Sequence, residues 1–416
     1  MKQLKRAAMM LASLSVYRGV LKQAVPGAFY RLLWSAGQSE KDFLNAWGNF
    51  FAVLSAHGGT EAFSRCIAEA VQSDENPFSL ACAAGDASLP PAELDAVCRD
   101  LAVLREVSAM TPDQVLEGSD FAVDAAQLGL PHWRTGETPE FLSGGASDCV
   151  KRLAQYYRKN GCGPYARYRA FIWRGGWLCP VVHPDRTTLA DLKGYELQRG
   201  MAIDNTLAFL NGLPANNCLF YGDRGTGKSS TVKALLNEYY TRGLRMIEIP
   251  KKSLADFPLV VDRIAGLPMK FIVFIDDLSF AGEDDTYASL KAVLEGGLAV
   301  RPDNTLIYAT STRRHLIREN FSDREGDEIH RNDSIQESLS LADRFGLSIR
   351  YALPGKDEFL KIVRALSAQR GLHADPEELE KGAEQWALAR GGRSPRCAKQ
   401  YIRSVEARLK AVKADG

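Results

Sequence analysis

The sequence contains no uninterrupted apolar run of the roughly 18 residues that a membrane-spanning helix needs, so no membrane span is expected. It carries almost no excess of charge: 52 Lys and Arg stand against 51 Asp and Glu, a formal net charge of +1. Bulk electrostatics therefore give no reason to expect a nucleic-acid partner, and any basic surface has to be local. Histidine is scarce, with 6 in 416 residues, and its scatter suggests no metal-binding cluster. The 8 cysteines, at 66, 82, 98, 149, 162, 179, 218 and 397, form no CxxC pair. They read as free thiols in a reducing, cytoplasmic setting rather than as a disulfide framework.

What is present is ordinary globular composition, 45% apolar and 25% charged. A chain of 416 residues is too long for one core, so two or three domains are expected. At the start, Lys2, Lys5 and Arg6 precede the apolar stretch Ala7 to Tyr17, which loosely imitates a signal peptide. Arg18 and Lys22 follow at once and no small-residue cleavage pattern is clear, so export is not expected.

Residues 1–150 read as a mainly helical domain, with apolar residues at helical spacing in Glu40–Ala56, Gly59–Gln72 and Pro91–Ser108. Residues 151–188 read as a hairpin and linker region. Tyr165 to Trp173 has the aromatic bias of a strand, Arg174-Gly175-Gly176 can turn it, and Trp177 to Val182 can return, with Pro180 implying a sheet edge. Aromatics interleaved with arginines would suit single-stranded nucleic acid. The same pattern also serves a hairpin whose aromatics pack on the neighbouring domain while its arginines face water.

Strand and helix patterns alternate through residues 189–354. Strands are expected at Asn217–Tyr221, Arg245–Ile249, Lys270–Asp276, Thr305–Thr310 and Leu347–Leu353. This alternation points to a mostly parallel sheet covered on both faces. Beyond Pro354, residues 355–416 hold three helical segments, about 356–370, 376–390 and 395–411, which read as a separate helical lid.

The chemistry concentrates in Gly222-Asp223-Arg224-Gly225-Thr226-Gly227-Lys228-Ser229, a full GxxxxGK[ST] phosphate-binding loop between an apolar strand and a helix starting at about Ser230. Glycines let backbone N–H groups approach phosphates, and the helix N-terminus behind them favours anions. Lys228 is expected to reach the β- and γ-phosphates of ATP and the Ser229 hydroxyl to ligand Mg²⁺. The apolar run Phe271 to Ile275 ends in Asp276 and Asp277, at the carboxyl end of a strand, where ligands of such sheets lie. Asp276 is expected to hold Mg²⁺ and Asp277 to orient or deprotonate the attacking water.

From Leu189 to about Arg408 the sequence resembles the AAA+ superfamily, most closely an uncharacterised bacterial AAA+ family of ATP-binding proteins. Leu192 to Gln198 resembles the segment that lines the adenine pocket, which assigns Tyr195 there. Leu306 to Thr312 resembles the sensor-1 strand, Leu341 to Gly346 the arginine-finger box, and Gly392 to Arg396 the start of the sensor-2 helix. The resemblance implies an α/β P-loop NTPase sheet of AAA+ type with a C-terminal helical lid. It also implies ATP and Mg²⁺ as ligands and a homo-oligomer. Thr312 stands where sensor 1 is commonly Asn, and Asp277 where the second carboxylate is commonly Glu. Both departures bear on hydrolysis more than on binding.

Arg344 has two readings: a finger reaching a neighbouring subunit's γ-phosphate, or an ion pair with Asp343 or another carboxylate. For Arg396, Ser394 reads as an N-cap and Pro395 as the first helical residue, so the cation falls in a first turn whose dipole disfavours it unless a phosphate is bound. The polar stretch Glu319–Ser338 reads as a mobile loop or a disordered insertion. Lys251 to Pro258 lacks the aromatic-apolar-Gly loop of protein-threading relatives. Three functions remain open: a motor or switch on an unidentified macromolecule, a static nucleotide-binding adaptor, or a nucleic-acid remodeller of the helicase-loader type.

Overall fold

The computed structural model describes residues 2–57, 62–85, 89–119, 128–279, 290–291, 294, 302–312, 344–372 and 374–414. Glu319–Ser338 and Leu341 to Asp343 lie outside them. The chain divides into two compact units, one of residues 1–167 with 266–268, the other of 168–265 with 269–416.

The first unit is helical: α1 Lys2–Ala12, α2 Ala24–Ser35, α3 Glu40–Ala56, α4 Phe63–Gln72, α5 Pro77–Ala83, α6 Pro91–Ser108, α7 Pro112–Glu117, α8 Ala146–Asn160 and α9 Gly163–Arg167. The leader-like start is amphipathic α1, whose Leu4, Ala7, Ala8 and Leu11 are buried in the unit's core while Lys5 and Arg6 stay exposed. Phe29, Trp47, Phe50, Phe63 and Trp133 form the centre of that core, with neighbouring rings tilted or edge-on rather than sandwiched. Buried Asp100 accepts hydrogen bonds from the backbone N–H groups of Ser15, Val16 and Tyr17 and so starts the 3-10 turn Val16–Lys22. Helix α8 runs across residue 150, so the change of character read there is not an element boundary.

The strand expected from Tyr165 starts five residues later. Gly163 (φ 61°) and Pro164 open the short helix α9, which takes Tyr165 to Arg167, and β1 is Ala170–Arg174. Gly175 (φ 57°) and Gly176 (φ 80°) supply the two left-handed residues of a tight turn into β2, Trp177–Pro180. Rather than standing apart as a linker, this hairpin extends the main sheet, because β1 pairs in parallel with β4, Leu244–Glu248.

The remaining strands are β3 Cys218–Gly222, β5 Lys270–Ile275, β6 Thr305–Ser311 and β7 Leu347–Tyr351. The sheet order is β2-β1-β4-β5-β6-β3-β7, with every pairing parallel except β1–β2. Residues of both parities along β5 are buried, as a strand covered on both faces requires. Helices α10 Glu196–Leu210 and α11 Lys228–Tyr239 supply Ala202, Phe209, Val232 and Leu235 to one face. Helix α12 is Phe257–Ile264. The lid is α13 Lys356–Gln369, α14 Pro376–Ala389 and α15 Pro395–Ala414, closed around Phe359, Val363, Ala383, Ala398 and Ile402. The fold is therefore the α/β P-loop sheet with helical lid and helical N-terminal part that the sequence implied. Among the described residues no helix is long and apolar enough to cross a membrane.

The hairpin's aromatics are largely consumed internally. Phe171 and Trp173 are each 1% exposed, and Trp173 Nε1 donates to Asp256 Oδ2 at 2.8 Å. The Arg263 guanidinium lies over Trp173 and Trp177, and that of Arg169 over Tyr240. Only Trp177 of β1 and β2 is left as an exposed ring, so the pattern that suited nucleic acid is a packed sheet edge.

Candidate functional site

The sheet order places the site. Strand β6 lies between β3, which leads into the phosphate loop, and β5, which ends at Asp276. A cavity of about 770 Å³ opens at the carboxyl ends of these strands, beneath the lid. Its lining includes Tyr195, Arg224 to Ser230, Asp276, Asp277, Thr310, Thr312 and Arg396. Gly222 and Asp223 are not in that lining, and neither is Arg344, which is exposed just ahead of β7.

The loop's shape depends on its glycines. Gly222 has φ 125°, and a Cβ there would stand 2.1 Å from the Tyr351 carbonyl oxygen. Gly222→Ala should thus cost roughly 2–4 kcal/mol of stability, from left-handed strain plus an overpacked backbone contact. Urea denaturation reads this; a midpoint equal to that of the unsubstituted protein would mean that the loop is not wedged against β7. Gly225 (φ 77°) is similarly close to the lid: a Cβ would stand 3.1 Å from Ser394 Oγ and 3.2 Å from Arg396 Cβ.

Lys228 and Ser229 already belong to α11, two residues earlier than the expected helix start. Lys228 Nζ donates to the carbonyls of Gly222 and Asp223 at 2.8 and 2.7 Å. Burial pushes its pKa down, while Asp223, Asp277 and Asp276 pull it back up. Ser229 Oγ donates to Asp276 Oδ1 at 2.6 Å. Two oxygens side by side fit Mg²⁺, which prefers a few protein ligands and fills its remaining positions with phosphate oxygens and water. Among the described residues no group of three or more His, Cys, Asp or Glu offers an all-protein metal cage.

Thr310 was not singled out from the sequence. Its hydroxyl donates to Asp276 Oδ1 at 2.5 Å and accepts from the Asp277 N–H at 2.9 Å. It thereby fixes both carboxylate residues from the neighbouring strand, while Leu278 N donates to the Thr310 carbonyl at 2.7 Å. The turn is strained: Asp277 has φ 52°, one of two non-glycine residues with positive φ among the described residues. Thr312, read as the sensor, lines the cavity one residue past the end of β6.

The other residue with positive φ is Tyr195, φ 58°, at the N-cap of α10. Its ring stacks on that of Tyr351 at 5.0 Å and its hydroxyl donates to the Ala352 carbonyl at 2.6 Å. With Leu192, Ile362 and Leu366 these two rings give the cavity an apolar end, suited to a flat base. The Tyr351 phenol, pushed up to about 12 by burial, stays neutral and shares a hydrogen bond with Thr231. On the lid, Ser394 Oγ accepts from Cys397 N at 3.2 Å, the N-cap that the sequence implied, and Arg396 N donates to the Gly225 carbonyl at 3.1 Å. Arg396, Lys399 and Arg403 then line the cavity from one face of α15.

Residues 166–409, more than half of the chain, match the model of a family described as a protein of unknown function (DUF815). A search of curated proteins finds no significant match. Among solved structures the chain is similar to Thermotoga maritima RuvB, a Holliday junction branch migration motor, at 15% identity and TM-score 0.38, covering 55% of this chain and 66% of that one. It is similar to a single-residue variant of that protein at 14% and 0.39, with coverage of 55% and 66%. It is also similar to a DNA replication initiation factor at 18% and 0.33, with coverage of 56% and 65%. The chain thus spans just under two thirds of the length of each of these proteins. At this identity and TM-score the likeness carries no residue roles, ligands or partners to this chain.

Proposed function

The chain belongs to the DUF815 family of unknown function, and on that premise we propose that it is a Mg²⁺-dependent AAA+-type ATPase working as a homo-oligomeric motor or switch on a macromolecule. One observation carries the reading: Lys228, Ser229, Asp276 and Asp277 line one cavity, with Ser229 and Asp276 in direct hydrogen bond. The loop's N–H groups, Lys228 and Arg396 bind the triphosphate, and the apolar end with Tyr195 takes the adenine. Mg²⁺, held by Ser229 and Asp276, supplies charge neutralisation to the phosphates. Asp277, held by Thr310 through its backbone, orients water and accepts its proton at a carboxylate oxygen.

Binding and turnover separate this from a static adaptor. Asp277→Asn should leave MgATP affinity within about threefold and lower steady-state phosphate release by about 10²–10⁴-fold, since an amide cannot take the proton. Unchanged phosphate release would remove Asp277 as the base. Absence of release from the unsubstituted protein, with ATP bound, would favour the adaptor. Of the aromatics on which the helicase-loader reading draws, Phe171 and Trp173 are buried and Trp177 is exposed.

A further inference from the structure

Asp223 stands inside the phosphate-loop motif but outside the cavity lining, and its hydrogen bonds lead back into the protein. Its N–H donates to the Tyr351 carbonyl at 2.9 Å. Its carboxylate oxygen Oδ2 accepts from the Leu353 N–H at 2.9 Å. Its carbonyl accepts from Thr226 Oγ1 at 2.8 Å and from Lys228 Nζ at 2.7 Å. Tyr351, Ala352 and Leu353 are the residues that leave β7 for the lid, and Pro354-Gly355 follow before α13 begins. Each of the three is tied: Tyr351 to Asp223, Ala352 to the Tyr195 hydroxyl, Leu353 to the Asp223 carboxylate. A buried loop lysine and the lid's hinge therefore converge on one residue.

We infer that Asp223 is a positioning residue: its carboxylate pins the lid hinge to the phosphate loop and so sets Arg396 against the bound nucleotide. The first half stands on hydrogen bonds alone; the second rests on the ATPase reading. Hydrogen bonds to a charged acceptor are worth more than neutral ones, so losing this one should free the hinge measurably. An amide keeps an oxygen acceptor for Leu353, whereas alanine does not.

The test compares Asp223→Ala and Asp223→Asn by amide hydrogen exchange over residues 350–356 and by MgATP titration. In the Ala variant, exchange at Leu353 should quicken by about 10-fold or more. MgATP affinity should fall by about 10-fold in step, if one charge-assisted contact of the lid is lost. The Asn variant should stay within about threefold on both counts, a rescue that a loss of packing would not show. Should the Ala variant not fold, Asp223→Ser, whose hydroxyl is too short to reach Leu353, takes its place. Unchanged Leu353 exchange in the Ala or Ser variant overturns the proposal. If the unsubstituted protein binds no MgATP, the ATPase reading fails, and the exchange data still decide whether Asp223 pins the hinge.

Discussion

Lys228→Ala should lower MgATP affinity by about 100-fold or more while leaving the melting temperature within a few degrees of the unsubstituted protein. The two halves have one cause. Lys228 is 8% exposed, and burial pushes its pKa down, so the fold holds this ammonium at a desolvation cost. Its hydrogen bonds to the Gly222 and Asp223 carbonyls recover part of that cost, and the carboxylates of Asp223, Asp277 and Asp276 recover more. Removing the charge removes cost and compensation together, so stability changes little. A triphosphate has no such compensation. Two charge-assisted hydrogen bonds to phosphate, at roughly 1.5–3 kcal/mol each, amount to a factor of about 10² or more in affinity. Lys228→Arg should not restore binding, because a planar fork cannot occupy the place of a compact ammonium against the loop. Titration with a fluorescent ATP analogue, beside thermal unfolding, checks both halves. Affinity within threefold of the unsubstituted protein would remove the phosphate-loop reading.

Local features of this protein were legible because their causes are local. The phosphate loop is written in glycine spacing, and Gly222, Gly225 and Gly227 all have positive φ. The strand runs show as apolar stretches, and their ends slip where a side chain intervenes. Asn217 was expected to open β3, but its side chain accepts from Ile307 N at 2.9 Å and the strand begins at Cys218. Leu353 was expected to close β7, but its N–H turns to Asp223 and the strand stops at Tyr351. Thr310 was illegible for a different reason. In the chain it is one buried residue of an apolar strand, and only the insertion of β6 between β5 and β3 brings its hydroxyl to Asp276 and Asp277. The joining of the hairpin to β4 is likewise a pairing between residues more than 70 positions apart, and no pattern in either segment announces it.

The same register bears on Arg344. Mixing Arg344→Ala with Lys228→Ala should restore phosphate release that neither variant shows alone. Strand β7 pairs Leu347 with Cys218 and Tyr351 with Gly222, so the phosphate loop lies at the carboxyl end of the strand and Arg344 before its amino end. The four strand steps between Leu347 and Tyr351 alone span about 13 Å, farther than an arginine side chain extends. Arg344 also lies outside the cavity lining of its own chain. Arg344 is therefore remote from the phosphate loop of its own chain, and under the proposed function it would act on a neighbouring chain's phosphate. Hydrolysis per subunit should then rise with protein concentration as subunits associate. Arg344→Ala should flatten that rise, lowering turnover by about 10³-fold at saturating association, with ATP affinity nearly intact. In the mixed assembly the first variant supplies an intact phosphate loop and the second an intact arginine, so interfaces of one orientation are complete. Phosphate release across a dilution series, with light scattering to follow association, reads this directly. Turnover that stays flat while the protein associates, with no recovery on mixing, would leave Arg344 as an ion-pairing surface residue and the ATPase as a subunit that works alone.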